Sequence, residues 1–177
     1  MSLPKIAISG KMASGKSYLA HFLVKDNDYS VYSLGGKVKD IAYDLFKMSP
    51  DHKDRPLLQG IGMKMRDLQP DVWITYVLTE AEENDGPVVC DDVRFVNEAR
   101  AFKDAGWLLV KLQIEDDLQL ERLQNAYPDN WESHWSNRTD PSETEVDDIP
   151  DEWFDLILTA ANDDMAVDTL REFLNQI

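Results

Sequence analysis

Residues 10–17, GKMASGKS, constrain the fold of this chain more than any other stretch, because they match the pattern G-x-x-x-x-G-K-S. Glycines let a backbone curl around an anion, and the amide groups of the loop and of the next helix can then point at that anion. Residues 5–9 form an apolar run typical of a buried strand, and the apolar residues at 18, 19, 22 and 23 share one face of a helix. We therefore predict a strand, a phosphate-binding loop and a helix, in this order.

The loop pattern assigns roles to individual side chains. Lys16 is expected to reach the β- and γ-phosphates of ATP, and the hydroxyl of Ser17 is expected to bind Mg²⁺. The residues predicted to bind ATP are Gly10, Lys11, Met12, Ala13, Ser14, Gly15, Lys16 and Ser17. A glycine turn that arose by chance is the alternative, and the strand and helix on either side argue against it.

Composition limits the classes of function. The 177 residues suit one domain, and 43% of them are hydrophobic, which is typical of a globular chain. The net charge of −16 repels nucleic-acid phosphates, so we expect no nucleic-acid partner. No apolar run approaches the roughly 20 residues of a membrane span, and the N-terminus leads straight into the first predicted strand, so we expect no membrane partner and no signal peptide. A single cysteine, Cys90, excludes an internal disulfide and suits a cytoplasmic protein.

The rest of the pattern alternates strands with helices, which predicts a parallel sheet covered by helices on both faces. The predicted strands are 4–9, 29–34, 88–92, 107–114 and 154–159. The predicted helices are 15–25, a segment after a break at Gly35 and Gly36, 57–66, 72–83, 97–105, 116–124 and a last helix from 163. The expected fold class is therefore α/β, with three α/β/α layers around a five-stranded parallel sheet.

Two long excursions leave the carboxyl edge of the predicted sheet, within a single domain of residues 1–177. Residues 35–86 are expected to form a helical insert that binds an acceptor. Residues 125–150 are polar and loop-like, and a loop of this length in a compact domain is typical of a lid. Ligands of open parallel sheets bind at the carboxyl ends of the strands, so both excursions are placed to contact one.

Two carboxylates end the third predicted strand. Asp92 is assigned to the metal site, where it could hold Mg²⁺ together with Ser17, directly or through water. Asp91 competes for this role, because alternation along a strand directs only one of the two side chains toward the loop. An ordinary turn at the end of a strand is the alternative.

Several cationic side chains could contact phosphate groups. Arg94 follows the two aspartates, and we favour phosphate binding by its guanidinium over a surface ion pair with Glu98. Lys39 could meet an acceptor phosphate, and Arg122 and Arg138 could neutralise charge on the transferred phosphoryl group, although solvated surface positions explain each of them about as well. No general base is required if the acceptor is itself a phosphate, since its oxygens are already anionic.

Four stretches resemble the bacteriophage-type deoxynucleoside monophosphate kinases, within the nucleoside-monophosphate-kinase group of phosphate-loop proteins. They are GKMASGKS at 10–17, YSLGGKVKD at 32–40, LLQ at 57–59 with DVW at 71–73, and DDVRFVNEA at 91–99. The last is close to the family's D-V-R-F-x-N-E-A. Together these stretches span most of residues 4–115.

The resemblance implies ATP- and Mg²⁺-dependent phosphorylation of a deoxynucleoside 5′-monophosphate to the diphosphate. By motif position it surrounds the acceptor with Lys39, Arg55, Gln59, Arg66, Trp73 and Arg94. Trp73 would wall the base pocket or only pack the insert. The family's lid motif H-x-S-E is matched in part by DPSE at 140–143, which adds Ser142 and Glu143 to the acceptor site. A viral origin would place the protein in the host cytoplasm. The oligomeric state stays open, with a homodimer as one alternative.

Two other functions stay open beside the nucleotide kinase. One is a different small-molecule kinase on the same scaffold, acting on dephospho-coenzyme A or a sugar acid. The other is a nucleotide-binding module without transferase activity. A regulatory GTPase is disfavoured, because no D-x-x-G follows a strand and no N-K-x-D occurs in the sequence.

Overall fold

The computed structural model describes residues 3–51 and 54–177. The strands of this part of the chain are β1 (Ile6–Ser9), β2 (Ser30–Tyr32), β3 (Val88–Val93), β4 (Leu108–Gln113) and β5 (Leu156–Thr159). The α-helices are α1 (Lys16–Asn27), α2 (Leu34–Phe46), α3 (Arg55–Leu68), α4 (Val72–Glu82), α5 (Val96–Asp104), α6 (Asp116–Ala126), α7 (Trp131–Ser136), α8 (Pro141–Thr144) and α9 (Asp163–Leu174). Short 3₁₀ helices at Asn137–Thr139, Glu145–Asp148 and Asp151–Trp153 lie between the later elements. Among the described helices, none combines the length and apolarity that crossing a membrane requires.

The five strands form one parallel sheet in the order β2-β3-β1-β4-β5. Strand β1 is central: the chain leaves it for β2 and β3 on one side and then crosses over to β4 and β5 on the other. A crevice forms beside such a central strand, at the carboxyl ends, because the connections diverge there. The loop after β1 and the end of β3 both lie at this edge.

Alternation along the strands divides the core between the two faces of the sheet. In β1, Ile8 packs with Leu23 of α1 and Leu170 of α9 on one face. Its neighbour Ala7 belongs to the opposite cluster, which includes Phe102 of α5 and buried side chains of α2, α3 and α4. The predicted three-layer α/β/α class is therefore confirmed, and the helical insert covers the second face.

The sequence prediction was wrong about the two glycines at 35 and 36. They do not form a break between a strand and the next helix. Instead they lie in the first turn of α2, which begins one residue earlier, at Leu34. The Ser33 hydroxyl accepts a hydrogen bond from the Gly36 amide at 3.1 Å and caps the helix. Glycine is tolerated at this position because first-turn amides have no partner within the helix and bind an outside acceptor instead.

The segment at 125–150 was predicted as a long loop, and this prediction was also wrong. It contains the end of α6, all of α7 and α8, and two of the 3₁₀ helices. Asp140 accepts a hydrogen bond from the Ser142 amide at the start of α8, and Pro141 occupies the first position of that helix. Val146 and Ile149 are buried and attach the segment to the protein. Short helices with polar caps carry too little hydrophobic periodicity to be recognised in the sequence.

We predict a large loss of stability on replacing Phe102 with alanine. This side chain is fully buried in α5, with its ring centroid 4.7 Å from that of Trp107. Truncation of a buried phenylalanine leaves a cavity and costs about 3–5 kcal/mol of unfolding free energy. Phe46→Ala is the matched control: its side chain is 57% exposed, and we expect a change of less than about 0.5 kcal/mol. Urea unfolding measures both, and equal losses would contradict the assignment of the core.

Candidate functional site

The loop between β1 and α1 has the backbone geometry that an anion cradle requires. Gly15 has a φ of 100°, and a Cβ there would lie 3.0 Å from an oxygen of Asp163. At Gly10 a Cβ would lie only 2.6 Å from the carbonyl oxygen of Leu112. Both positions of the motif therefore require glycine. Helix α1 begins immediately afterwards, at Lys16, so the free amides of its first turn face the loop.

Lys16 is buried beneath this loop, with 7% of the residue exposed. Its ammonium group donates a hydrogen bond to the carbonyl oxygen of Lys11 at 2.7 Å. Its pKa is lowered from 10.5 to about 7, mainly by burial and then by the charge of Arg94, while Glu143 and Asp91 act in the opposite direction. An anion bound on the loop would favour the charged form, so Lys16 is poised to gain a proton when phosphate arrives.

The two aspartates at the end of β3 point to different places. A carboxylate oxygen of Asp91 lies 3.3 Å from the Ser17 hydroxyl, which donates a hydrogen bond to it. Burial and the neighbouring carboxylate of Asp92 raise the pKa of Asp91. The sequence assigned Asp92 to a metal site with Ser17, but the carboxylate that contacts Ser17 is that of Asp91.

Asp92 instead binds the beginning of α2. Its carboxylate accepts hydrogen bonds from the amides of Leu34 at 2.8 Å and Gly35 at 2.7 Å, and from the hydroxyl of Ser33 at 2.7 Å. The thiol of Cys90 lies 3.4 Å away as a fourth donor. This carboxylate is saturated with donors, and its position neutralises the positive end of the helix. The competing possibility noted for Asp91 is therefore the one that the geometry favours.

Arg94 forms the border between the loop and a large cavity. Its guanidinium pairs with the carboxylate of Glu143 and donates a hydrogen bond to the carbonyl oxygen of Ser142 at 3.3 Å. Glu143 in turn accepts a hydrogen bond from the Met12 amide at 2.7 Å, and it is buried with 4% of the residue exposed. The sequence alternative, an ion pair with Glu98, is not formed by the guanidinium: Glu98 binds the Arg94 backbone amide instead. A carboxylate from α8 thus links the phosphate loop to Arg94.

Arg122, expected to face the transferred phosphoryl group, supports the loop from behind. Its guanidinium donates to the carbonyl oxygens of Ala13 at 3.1 Å and Ala160 at 2.7 Å, and to the carboxylate of Asp163 at 2.9 Å. These bonds connect α6, the phosphate loop and the start of α9. Arg122 therefore positions the loop backbone in this conformation.

A cavity of about 920 Å³ lies beyond Arg94, between the helical insert, the β3–α5 turn and the 125–150 segment. Six residues that the sequence assigned to the acceptor line it: Lys39, Gln59, Arg66, Trp73, Arg94 and Ser142. Arg66 pairs with Glu98 at 3.0 Å. Trp73 is buried and donates a hydrogen bond to the carbonyl oxygen of Gly62 at 3.3 Å, so it both packs the insert and forms part of the wall.

Three assigned residues lie elsewhere or outside the description. Arg138 is exposed, lies over the Trp135 ring and donates a hydrogen bond to the Trp135 carbonyl oxygen at 3.2 Å, so its recorded contacts are within the 125–150 segment. Lys11 forms an ion pair with Asp147 at 2.8 Å. The side chain of Arg55 lies outside what the structure describes.

Sequence reasoning missed Glu98 and Asp163 as parts of the site. Glu98 is buried and joins two arginines, and Asp163 holds Arg122. Glu98 belongs to the stretch DVRFVNEA, so its position in that motif was a usable signal. Asp163 offered no signal beyond its place at the start of a helix, since its partner lies 41 residues earlier in the chain.

Comparison with known proteins bears on the fold. No protein-family model and no curated protein matches the sequence. Among solved structures, the shikimate kinase from Aquifex aeolicus aligns with a TM-score of 0.57 at 16% identity, covering 97% of this chain and 96% of that one. The shikimate kinase from Acinetobacter baumannii in complex with shikimate aligns with a TM-score of 0.55 at 17% identity, covering 98% and 94%.

A putative kinase from Chloroflexus aurantiacus gives a similar result, with a TM-score of 0.56 at 15% identity and coverage of 99% of this chain and 98% of that one. The alignments run over nearly the full length on both sides. At these identities the likeness establishes a shared fold, a five-stranded parallel sheet with helices on both faces.

We predict that Asp92 and Asp91 differ in their contribution to stability. Asp92→Ala leaves two amides and one hydroxyl at the start of α2 without their acceptor, which should lower the free energy of unfolding by about 1–3 kcal/mol. Asp91→Ala is the matched control at the adjacent position and should change it by less than about 0.5 kcal/mol. Urea unfolding distinguishes them. An equal loss in both variants would contradict the division of roles described above.

We also predict that Lys16→Met stabilises the protein in a pH-dependent way. The pKa of Lys16 is about 7 in the folded protein against 10.5 ordinarily. Between these values the unfolded chain binds the extra proton, so the wild-type free energy of unfolding rises with pH across this window. The gain from Lys16→Met should be largest below pH 7 and should vanish near pH 10.5. Urea unfolding at a series of pH values checks this, with Lys25→Met, exposed on the same helix, as a control; a gain independent of pH would contradict it.

Proposed function

We propose that this protein is a Mg²⁺-dependent kinase that transfers the γ-phosphoryl group of ATP to the phosphate of a deoxynucleoside 5′-monophosphate. The observation that carries the proposal is the position of Arg94. Through Glu143 its guanidinium is linked to the Met12 amide of the phosphate loop, and the same side chain lines the 920 Å³ cavity. One cation therefore borders both a donor site and an acceptor site.

The donor side consists of the loop and the beginning of α1. Amides of this stretch and the ammonium group of Lys16 can bind the phosphates of ATP, while Arg122 holds the loop carbonyl of Ala13 in place. Lys16 is buried, so its interaction with a phosphate oxygen is screened little by water. These groups hold and orient the donor and neutralise its charge.

The chemistry of two neighbouring oxygen donors fits Mg²⁺. The Ser17 hydroxyl and the Asp91 carboxylate lie 3.3 Å apart at the mouth of the loop. Mg²⁺ is typically held by one or two protein oxygens together with phosphates and water, and this pair supplies that number. When bound, the ion would neutralise charge on the phosphate oxygens. Asp91 replaces Asp92 in this assignment, because the Asp92 carboxylate is occupied by the start of α2.

An anionic acceptor is suggested by individual cations of the cavity and not by its net charge, because the lining also carries five carboxylates: Asp67, Asp92, Glu98, Asp140 and Glu145. Three cationic side chains line the cavity: Lys39, Arg66 and Arg94. Its volume lies in the range of pockets that bind ligands of drug or nucleotide size and is larger than a small hydroxy acid would fill. The deoxynucleotide itself is favoured by the DVRFVNEA stretch, which contributes Asp92, Arg94 and Glu98 to the walls of this cavity.

A phosphate acceptor also agrees with the state of the nearby carboxylates. Asp92, Glu98 and Glu143 each accept at least two hydrogen bonds or ion pairs from protein donors. Because their oxygens are engaged by protein donors, these carboxylates are poorly placed to accept a hydrogen bond from a substrate hydroxyl. Phosphoryl transfer to a phosphate oxygen needs positioning and charge neutralisation, and these are what the site supplies.

Transfer to a hydroxyl group is the second candidate, because the fold is shared with two shikimate kinases, one of them described in complex with shikimate. Such an acceptor would be a small hydroxy acid whose carboxylate binds the cavity arginines. The same assay separates it from the first candidate.

We predict acceptor-dependent ADP release from Mg-ATP with at least one of dAMP, dGMP, dCMP and dTMP. Coupled assays with these four, with shikimate and with dephospho-coenzyme A measure the rates. Lys16→Ala should lower kcat about 100-fold or more, because a charge-neutralising group next to the transferred phosphoryl is lost. Lys25→Ala, at the exposed end of the same helix, is the matched control and should keep the wild-type rate.

Other outcomes have defined meanings. Turnover of shikimate or dephospho-coenzyme A but of no nucleotide would replace the proposed acceptor. Calorimetric binding of ATP without ADP release for any acceptor would favour a nucleotide-binding module. Full activity in Lys16→Ala would overturn the mechanism itself.

A further inference from the structure

Glu98 is a buried carboxylate that contacts both acceptor-site arginines, and the function proposed above gives it no role in binding or transfer. It lies in the first turn of α5 with 2% of the residue exposed. One carboxylate oxygen accepts hydrogen bonds from the backbone amides of Arg94 at 2.9 Å and Phe95 at 3.1 Å. The other accepts one from the guanidinium of Arg66 at 3.0 Å.

The second bond crosses between separate parts of the chain. Arg66 belongs to α3 of the helical insert, 32 residues before Glu98. Its guanidinium also lies over the ring of Phe95, 4.6 Å from the ring centroid. A side chain held by an ion pair on its edge and an aromatic ring on its face has lost most of its rotamer freedom before any ligand arrives.

The first pair of bonds fixes the other arginine. The amides of Arg94 and Phe95 form the turn between β3 and α5, and Glu98 binds them both. The direction in which the Arg94 side chain leaves the backbone is therefore set by Glu98. Arg66, Arg94, Phe95 and Glu98 all line the same 920 Å³ cavity.

We propose that Glu98 is a positioning residue that holds Arg66 and Arg94 at a fixed separation, so that together they bind one phosphate-type dianion of the acceptor. The inference rests on the proposed function only for the identity of the acceptor. Two guanidinium groups held in advance can bind phosphate oxygens without first losing side-chain entropy. Both carboxylate oxygens are used, one by Arg66 and the other by the two backbone amides, whereas a side-chain amide has only one oxygen that can accept hydrogen bonds.

This difference makes Glu98→Gln the informative variant. Glutamine has the same size, and its carbonyl oxygen can still accept from the backbone of the turn. Its amide nitrogen is a donor and cannot bind the donor groups of Arg66. The cap of α5 is kept while the connection to the insert is lost. Glu82→Gln is the matched control, since it removes one charge from an exposed position of α4.

The test observes the arginines directly, so it does not depend on turnover. The side-chain N–H signals of Arg66 and Arg94 are assigned by NMR with the help of Arg66→Lys and Arg94→Lys, and inorganic phosphate is titrated in. In the wild type and in Glu82→Gln we expect both signals to shift together with one dissociation constant. In Glu98→Gln we expect that constant to rise about tenfold, as expected for a misplaced binding group, and the two signals to respond separately.

Arg66→Met gives a second approach that leaves the turn untouched. It should weaken phosphate binding at Arg94 by a similar factor, and Glu98→Gln added to it should have no further effect. With the acceptor found by the assay above, the KM for that acceptor should rise about tenfold in Glu98→Gln while kcat and the KM for ATP stay within about twofold. A purely structural role would instead lower kcat and the free energy of unfolding.

The proposal is overturned if the phosphate dissociation constant is unchanged in Glu98→Gln, or if neither arginine signal responds to phosphate in the wild type. Wild-type protein that shows the paired arginine response but phosphorylates no acceptor would support the role of Glu98 and reject the proposed kinase function. The two failures are therefore distinguishable.

Discussion

The hydrogen bonds between the Asp92 carboxylate and the start of α2 are the interaction on which the rest of the site depends. They attach the end of a central strand to the helical insert through two backbone amides and one hydroxyl. Since strand neighbours point to opposite sides, fixing Asp92 against the insert places Asp91 beside Ser17 at the phosphate loop. One strand end thus serves both sides of the crevice, with a structural carboxylate on one side and a carboxylate available to a metal on the other.

The site concentrates positive charge in a chain whose net charge is −16. It does so by giving its cations oxygen partners from the protein: buried Lys16 binds the Lys11 carbonyl oxygen, and the half-buried Arg66 and Arg94 pair with Glu98 and Glu143. Without a partner, a cation buried as deeply as Lys16 would destabilise the fold, and the lowering of its pKa by burial is part of this cost. A bound phosphate stabilises the charged form of Lys16 and so removes part of this cost. The free energy of phosphate binding is more favourable by that amount.

The sequence predicted those parts of the site that are determined by local patterns. The loop at 10–17, the helix after it and the strand before the two aspartates follow from glycine spacing and apolar periodicity. The choice between Asp91 and Asp92 depends on the pairing of β3 with β1, whose register shifts between Ala7 and Ser9, and no local pattern encodes that shift.

The partners of the arginines were predicted least well, for a related reason. Arg94 pairs with a glutamate 49 residues away instead of the nearby Glu98, and Arg122 contacts a loop carbonyl 109 residues away. Sequence spacing favours partners one helical turn apart, but a guanidinium in a crevice binds whichever carboxylate or carbonyl the fold brings to it. Only contacts between residues a few positions apart, such as Arg138 on Trp135, lie within reach of such reasoning.

The link from Glu143 to the loop and to Arg94 has a consequence for how substrates are bound. Its carboxylate uses the Met12 amide and the Arg94 guanidinium, which are donors of the kind that phosphate oxygens bind. A phosphate that binds these donors must displace the Glu143 carboxylate from them. Its net gain in binding free energy is therefore only the difference between two charge-assisted interactions. Because α8 carries Glu143, movement of the 125–150 segment and phosphate binding at Arg94 are then coupled through a single carboxylate. Such coupling would let the segment respond to an anion between the phosphate loop and the cavity, which under the proposed function is the border between donor and acceptor.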